Sequence, residues 1–250
     1  MNEVVNKDRL LHEKAHAEVL LRDPDGIWGW ATPAGRARAE RRAGLIIEAG
    51  GINANSVTLE IGCGTGVFTE LVSKSGASIA ACELSEKLLD FAGKRSYHSE
   101  VTFINEDAGQ LGPEHVGKYD VVWGSSVLHH LDLGLFLPKV LRLMKPGGVF
   151  VFAEPNMMNP QIWLERNVAM IRKIAGASPD ETAFYRRDIE KILIDQGFVN
   201  VSARPHEFLH PMTPISLIPL FKSLTRVAEK IWPICEIGGS LLIRAEKPKA

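Results

Sequence analysis

The chain is short of cysteine, with only Cys63, Cys82 and Cys235 among 250 residues. An odd, widely spaced set does not build a disulfide framework, and it offers no Cys-x-x-Cys pair for zinc. A reducing, cytoplasmic setting is the expectation. Net charge is equally scarce. The 29 basic residues face 30 acidic ones, a formal balance of −1. The global basic field that draws proteins onto nucleic acid or anionic membrane is therefore missing, and a nucleic-acid partner is not expected. No stretch approaches the roughly 20 apolar residues of a membrane span. The opening Met1–Asp8 is polar and lacks an apolar signal core. No His, Asp, Glu or Cys cluster has ligand spacing, so no metal is expected. Hydrophobic residues, at 45%, suffice for a full core in one large domain, which hides about 70% of its unfolded surface at this size.

The pattern of the chain is an alternation. Residues from Arg9 to Leu21 read as a helix, and Asp23-Pro24-Asp25-Gly26 as a turn. Thr32-Pro33 has the form of an N-cap with proline in the first helical turn, and Gly50-Gly51 that of a stop. Strands are then expected at 57–61, 78–83, 101–104, 119–123, 148–153, 199–203 and 240–245. Helical stretches at 68–75, 87–95 and 185–196 lie between them. The first five strands are apolar on both faces and alternate with helices, which implies a parallel sheet covered on both sides. Two connections, Pro155 to Thr182 and Pro205 to Ile237, exceed the usual few residues. Long connections of this kind serve as lids or caps. The expected division is an N-terminal helical cap over 1–50 and a core over 51–250, with cap insertions at about 155–184 and 205–238.

Leu59-Glu60-Ile61-Gly62-Cys63-Gly64-Thr65-Gly66 runs a strand into a glycine-rich turn and a helix. Glycine lets the backbone take positive φ and lets a ligand approach closely. The third glycine comes one residue too early for the Gly-x-Gly-x-x-Gly of a dinucleotide loop. Glu83 closes the second strand, where a carboxylate can accept two hydrogen bonds from a ribose diol. Asp107-Ala108 follows the third strand, at a place suited to an adenine amino group. Gly124-Ser125-Ser126 ends the fourth with small polar residues.

These segments resemble motif I and the following motifs of the class I S-adenosylmethionine-dependent methyltransferases. Leu143-Met144-Lys145-Pro146-Gly147-Gly148 and Tyr119-Asp120-Val121-Val122 with Leu128-His129-His130-Leu131 extend the likeness, which is strong over about 40–155. The resemblance implies an α/β fold with a doubly wound, seven-stranded, mostly parallel Rossmann-like sheet, its last strand antiparallel, and helical cap insertions. It implies S-adenosylmethionine as cofactor, with S-adenosylhomocysteine as product. The residues it assigns to the cofactor are Glu60, Gly62, Cys63, Gly64, Thr65, Gly66, Glu83, Leu84, Asp107, Ala108 and Ser125. For Glu60 two readings stand side by side: positioning the methionyl end, or capping loop N–H groups.

Methyl transfer is an in-line displacement, so alignment supplies much of the rate and a base is optional. The candidate catalytic residues are His129, His130, Asp132, Tyr185, His206 and His210. For His129-His130 a general base stands against a loop-orienting role, and the resemblance favours the latter. The segment after the fourth strand has no Asn-Pro-Pro-Tyr or Asp-Pro-Pro-Tyr, and the chain has no Pro-Cys pair. Amino-methylation of DNA and carbon-5 methylation of cytosine are thereby disfavoured.

Both insertions are apolar. From Ile215 to Ile231 apolar residues recur at three and four, with Lys222, Arg226 and Lys230 on another face. This helix reads as packing on the sheet edge, as a wall over the acceptor, or as a surface that touches lipid or a partner. Ile162, Trp163, Leu164, Val168, Met170 and Ile171 form its companion. Trp28 and Trp30 suggest a flap over the cofactor, and the group Arg36, Arg38, Arg41 and Arg42 suggests a contact to its carboxylate. The function expected is methyl transfer to a small or mid-sized, partly apolar acceptor, with a lipid, sugar or polyketide part. The rival readings are a methyltransferase of RNA or protein, and a non-catalytic cofactor-binding protein.

Overall fold

The computed structural model describes residues 24–27, 29–168, 170 and 182–249. The helix expected over Arg9–Leu21, and the residues Trp28 and Ile171, lie outside them.

The described residues begin with a helical turn, α1 (Pro24–Ile27), where the sequence suggested a simple turn. Helix α2 (Pro33–Gly50) has the expected limits. Thr32 Oγ1 accepts from the Gly35 N–H at the start, and Gly51 takes a left-handed conformation at φ 62° at the end. Such an N-cap contributes about 1 kcal/mol. Then follow β1 (Val57–Ile61), α3 (Val67–Ser73), β2 (Ser78–Cys82), α4 (Glu86–Ala92), β3 (Val101–Ile104), β4 (Tyr119–Ser125) and α5 (Leu133–Leu143). The second half holds β5 (Met144–Pro155), α6 (Pro160–Asn167), α7 (Arg186–Asp195), β6 (Val199–His206), α8 (Ile218–Ala228) and β7 (Ser240–Glu246).

The seven strands form one sheet in the order β3-β2-β1-β4-β5-β7-β6. β1 to β5 pair in parallel, and β7 runs antiparallel to both β5 and β6. This is the expected α/β, Rossmann-like architecture. β5 starts at Met144 rather than Gly148, because the Lys145–Gly148 turn is taken up as a register shift opposite Tyr119–Val121. The helix expected from Ile215 to Ile231 is a 3-10 turn, Ile215–Leu217, followed by α8, which has Pro219 in its first turn.

Alternate residues face opposite sides of the strands. Val122, Phe150 and Phe152 pack with Leu137 and Val140 of α5 and with Ile189 and Leu193 of α7. Val121, Trp123 and Val151 pack on the other side, with Ala39, Ala43 and Ile46 of α2 and Phe68 and Val72 of α3. Each fully buried large side chain contributes roughly 1.5–3 kcal/mol. The strand order reverses between β1 and β4. The crevice at the carboxyl ends of those two strands is the ligand site of open α/β sheets.

Insertion helix α8 packs on α2 rather than on the sheet edge. Its Ile218 and Phe221 meet Leu209, Ala34 and Ala37. Leu220, Leu224 and Val227 form a stripe that is about half exposed. Among the described residues, no helix is long and apolar enough to cross a membrane.

Candidate cofactor site at the strand ends

The glycine turn is anchored from both sides. The Gly62 and Cys63 N–H groups donate to the Cys82 carbonyl at 2.8 and 3.1 Å. Gly62, Gly64 and Gly66 all have φ between 54° and 79°. A Cβ on Gly62 would lie 2.6 Å from Val127 Cγ2, so the β4 loop fits only against glycine there. The Glu83 carboxylate, beyond the end of β2, accepts from the Gly64 N–H at 3.0 Å and from the Ser85 N–H at 2.9 Å. The Asn105 amide donates to the carbonyls of Glu83 and Leu84 at 3.0 and 3.2 Å. Asp107 Oδ1 accepts from the Gly109 N–H at 2.8 Å, and Ala108 is buried beside it. The ends of β1, β2 and β3 are thus knitted into one rim.

Glu60 lies beneath the turn, 2% exposed, and accepts from Thr69 Oγ1 at 2.5 Å. Burial pushes its carboxyl up to about 8, against the opposing Thr69 hydrogen bond and with help from Glu83. It is therefore largely protonated at neutral pH. Burial also raises the thiols of Cys63 and Cys82, the latter to about 12, so neither is a thiolate near pH 7.

At the end of β4, Arg42 of α2 is inserted and buried. Nη1 donates to Ser125 Oγ at 3.0 Å and Ser126 Oγ at 3.1 Å, and Nη2 to Ser240 Oγ at 2.7 Å. Nε is buried without a partner. The guanidinium lies 5.2 Å from the centre of the Trp30 ring, which meets Phe68 edge-on at 5.2 Å. Burial, then Arg38, lower its pKa to about 10, while Glu207 and Glu154 oppose them. A buried cation held by neutral hydroxyls has room in its electrostatics for an anion. The sequence placed Arg42 in an undivided group of four arginines. Only the fold, which brings Ser125 and Ser240 to it, separates it from the rest.

A second feature escaped the sequence. Glu154, at the end of β5, is wholly buried and accepts from the Val127 and Leu128 N–H groups, each at 2.9 Å, and from His129 Nδ1 at 2.7 Å. The His130 ring packs against that of His129, with centres 4.1 Å apart and planes tilted by 40°. Burial alone would raise Glu154, but the His129 hydrogen bond and charge and the two backbone N–H groups outweigh it and hold the carboxyl below its ordinary value.

The other candidates are scattered. Asp132 caps α5, accepting from the Leu135 N–H at 3.3 Å. Tyr185 is 41% exposed just before α7. His210 accepts from the Met212 N–H at 3.2 Å in a surface turn. His206 is buried with both ring nitrogens unpartnered. Burial, and then the charges of Arg42, Arg41, Arg204 and Arg38, hold it neutral, well below its ordinary value.

Of the pair Trp28 and Trp30 from which a flap was expected, only Trp30 lies among the described residues, and Asp25 makes the contact from the N-terminal side to the glycine turn. Asp25 accepts from Thr65 Oγ1 at 2.6 Å and pairs with Arg95, whose Nε donates to the Thr65 carbonyl at 2.6 Å. Among the described residues, no three His, Cys, Asp or Glu side chains are placed to hold a metal ion.

Strand order and the glycine turn define a Rossmann-like α/β protein with a ligand crevice at its strand ends. Residues 59–152 match the family model described as "Methyltransferase domain". Over that segment the chain is similar in sequence to methyltransferase domains, and its fold as a whole is similar to that of S-adenosylmethionine-dependent methyltransferases. It is 29% identical over 152 residues to the ubiquinone biosynthesis O-methyltransferase of Cronobacter sakazakii, covering 58% of this chain and 62% of that one. With the same enzyme of Escherichia coli it shares 32% over 127 residues, 49% of this chain and 52% of the relative. The chain thus matches these curated relatives over about half to three-fifths of their length. Among solved structures, the fold is similar to a SAM-dependent methyltransferase from Archaeoglobus fulgidus, with TM-score 0.60 and 21% identity over 85% of this chain and 94% of that one. It is also similar to N-methyltransferase NodS from Bradyrhizobium japonicum in complex with S-adenosyl-L-homocysteine, with TM-score 0.58 and 18% identity over 94% and 98%.

Proposed function

We propose that the protein transfers a methyl group from S-adenosylmethionine to a small or mid-sized, partly apolar acceptor. One observation carries this reading. Four neighbouring strand ends offer a donor set matched to an adenosyl amino acid. Glu83 beyond β2 suits the ribose diol, and Asp107-Ala108 after β3 suits the adenine amine. The Gly62–Gly66 turn with Thr65 suits the sulfur-bearing chain. Arg42, a buried cation held by serine hydroxyls with its Nε unpartnered, suits the carboxylate. Glu60 beneath the turn and Leu84 on the rim complete the set.

When bound, S-adenosylmethionine supplies an electrophilic methyl group. The chain's own contribution is alignment, which is worth several kcal/mol in such displacements. Glu154 fixes the loop after β4 through two backbone N–H groups and the His129 ring. We therefore assign His129 as a positioning residue for the acceptor-side loop, with the His130 ring packed against it at a tilt. Tyr185 and His206 take no part in the chemistry under this reading. Asparagine at position 156 extends the arrangement, donating to the Glu236 and Gly238 carbonyls at 2.9 and 2.7 Å and so tying β5's end to the second insertion. The relatives' names make an oxygen-bearing acceptor the first to try.

Isothermal titration of the pure protein with S-adenosylhomocysteine tests the donor site, and saturable binding is expected. Glu83→Ala should weaken it at least tenfold, since a charge-assisted hydrogen bond is worth about 1.5–3 kcal/mol. Binding without any methyl transfer to hydroxylated, amine and polymer acceptors would instead favour a non-catalytic cofactor-binding protein.

A further inference from the structure

Helix α2 carries two guanidinium groups one turn apart, and their surroundings differ. Arg42 is engaged at the strand ends, where Ser125, Ser126 and Ser240 hold its Nη1 and Nη2. Arg38 makes no such bond. Its Nε is sealed without a partner, while Nη1 and Nη2 stay open to solvent and have no hydrogen-bond partner among the described residues. The side chain is not a loose surface arginine. It is half-buried, with its guanidinium 5.5 Å from the centre of the Trp30 ring, a cation–π contact that limits its freedom. Burial lowers its pKa from the ordinary value and Glu207 opposes this. Arginine nevertheless remains a cation with donors to satisfy.

The nearby carboxylates do not meet that need. Glu207 acts on Arg38 and Arg42 alike and stands 3.9 Å from Arg41 Nη1. One carboxylate is thus shared among three guanidinium groups, and its Oε1 is taken by the Leu209 N–H at 3.0 Å. Arg41 has Glu229 as well, at 2.6 Å, and Arg42 feels Glu154. An anion at the open edge of Arg38 would therefore meet a surplus of positive charge.

Position separates the ligand of Arg38 from that of Arg42. Arg42 lies 6.0 Å from the ring of Phe68 on α3, the helix that follows the glycine turn. Arg38 makes no ring contact of that kind to α3 among the described residues. It is nearer the start of α2, which the second insertion covers. There Thr32 Oγ1 donates to the Pro211 carbonyl at 2.8 Å. Glu207, the carboxylate that acts on Arg38, directly follows β6 in the same insertion. Arg38 accordingly lies on the insertion side of Arg42, away from the turn. With the donor's carboxylate at Arg42, the two open nitrogens are left for the acceptor. A guanidinium edge binds a carboxylate or phosphate through two parallel N–H bonds.

We propose that Arg38 binds an oxyanion on the methyl acceptor, a carboxylate or a phosphate monoester, and so selects an acidic acceptor over its neutral analogue. This inference rests on the donor reading above. Saturation-transfer NMR on the full chain, saturated with S-adenosylhomocysteine so that the donor's carboxylate site is filled, tests it. The probes are benzoate, phenyl phosphate and the neutral benzyl alcohol. At least one oxyanion should respond about fivefold or more above benzyl alcohol, the advantage expected of a charge-assisted pair. The responding probe tells carboxylate from phosphate. In Arg38→Gln the preference should vanish, while Arg38→Lys, which keeps the charge, should retain part of it. Titration calorimetry should find S-adenosylhomocysteine bound by Arg38→Gln within about twofold of wild type, since its contacts lie elsewhere. A thermal melt checks the fold of each variant, and the wild-type comparison stands without them. No preference for either oxyanion in the wild-type complex overturns the proposal. So does a preference that survives in a cooperatively melting Arg38→Gln. A tenfold loss of S-adenosylhomocysteine affinity in that variant overturns it too, by giving Arg38 to the donor. Wild-type protein that binds no S-adenosylhomocysteine refutes the donor reading itself, and this inference with it.

Discussion

His129 Nδ1 lies 2.7 Å from Glu154 Oε2, and both side chains are removed from solvent, at 4% and 0% exposure. The pair joins the end of β5 to the loop after β4. Glu154→Gln should therefore destabilise the fold by about 2 kcal/mol or more at pH 7, because it breaks a buried charge-assisted contact. The pH dependence follows from the depressed carboxyl. Its stabilising contribution is complete above the ordinary value of 4.5 and is lost as pH falls through the lower folded value. Urea unfolding at pH 7 and in acid should show the gap between wild type and variant narrowing below about 4.5. A gap that stays constant into acid would remove Glu154 from this role.

Glu60 titrates in the opposite sense. Its folded value, about 8, stands above the ordinary 4.5. Between those values the native state holds a proton that the unfolded chain has released, so stability declines as pH rises from about 5 to 8. Glu60→Gln imitates the protonated form and should flatten that decline, with its largest relative gain near pH 8. A cationic donor seated over the turn would draw the proton off. Calorimetry in buffers of different ionisation enthalpy should then detect proton release when S-adenosylmethionine binds at pH 7, and none with Glu60→Gln. Equal heats across buffers would place the ligand's ammonium away from Glu60.

The two carboxylates show where sequence reasoning reaches and where it stops. Glu60 is legible because it sits inside Leu59–Gly66, a motif whose function constrains consecutive residues. Glu154 is not, since its partners are 25 to 27 residues away and only β4–β5 pairing brings them near. The strands were readable because burial on both faces leaves continuous apolar runs. Helix α2 was readable because Thr32-Pro33 and Gly50-Gly51 satisfy its termini locally. Helix α8 resisted for a physical reason. Its apolar repeat predicts a buried stripe, yet Leu220, Leu224 and Val227 are about half exposed while the polar Thr225 is buried. Periodicity reports that a helix has faces, and the tertiary fold decides which face is covered.

Arg42 makes a prediction that separates the two ends of the donor. Arg42→Lys keeps the charge but loses the planar fork that spans Ser125, Ser126 and Ser240. Affinity for S-adenosylhomocysteine should fall about 10- to 100-fold, the range of about 1.5–3 kcal/mol expected for a charge-assisted contact. Affinity for 5′-methylthioadenosine, which has no carboxylate, should change less than twofold. Glu83→Ala should weaken both ligands alike, because both carry the ribose diol. If Arg42→Lys weakens both ligands equally, its effect is on the fold of the crevice rather than on the carboxylate.

Asp25 crosses the glycine turn from the N-terminal side. One of its oxygens accepts from Thr65 Oγ1 and the other pairs with Arg95, which in turn donates to the Thr65 carbonyl and pairs with Glu70 at 3.1 Å. The side chains are about a quarter to a third exposed, so the ion pair itself adds only about 0.2–1 kcal/mol to stability. Its consequence is kinetic. A strap held by weak contacts opens readily, and a ligand beneath it leaves at the rate of opening. Asp25→Ala should leave the thermal midpoint within a few degrees of wild type. Stopped-flow displacement should show S-adenosylhomocysteine dissociating several-fold faster, with the association rate nearly unchanged. An unaltered dissociation rate would mean that the Asp25 contact shapes the empty turn without covering its ligand.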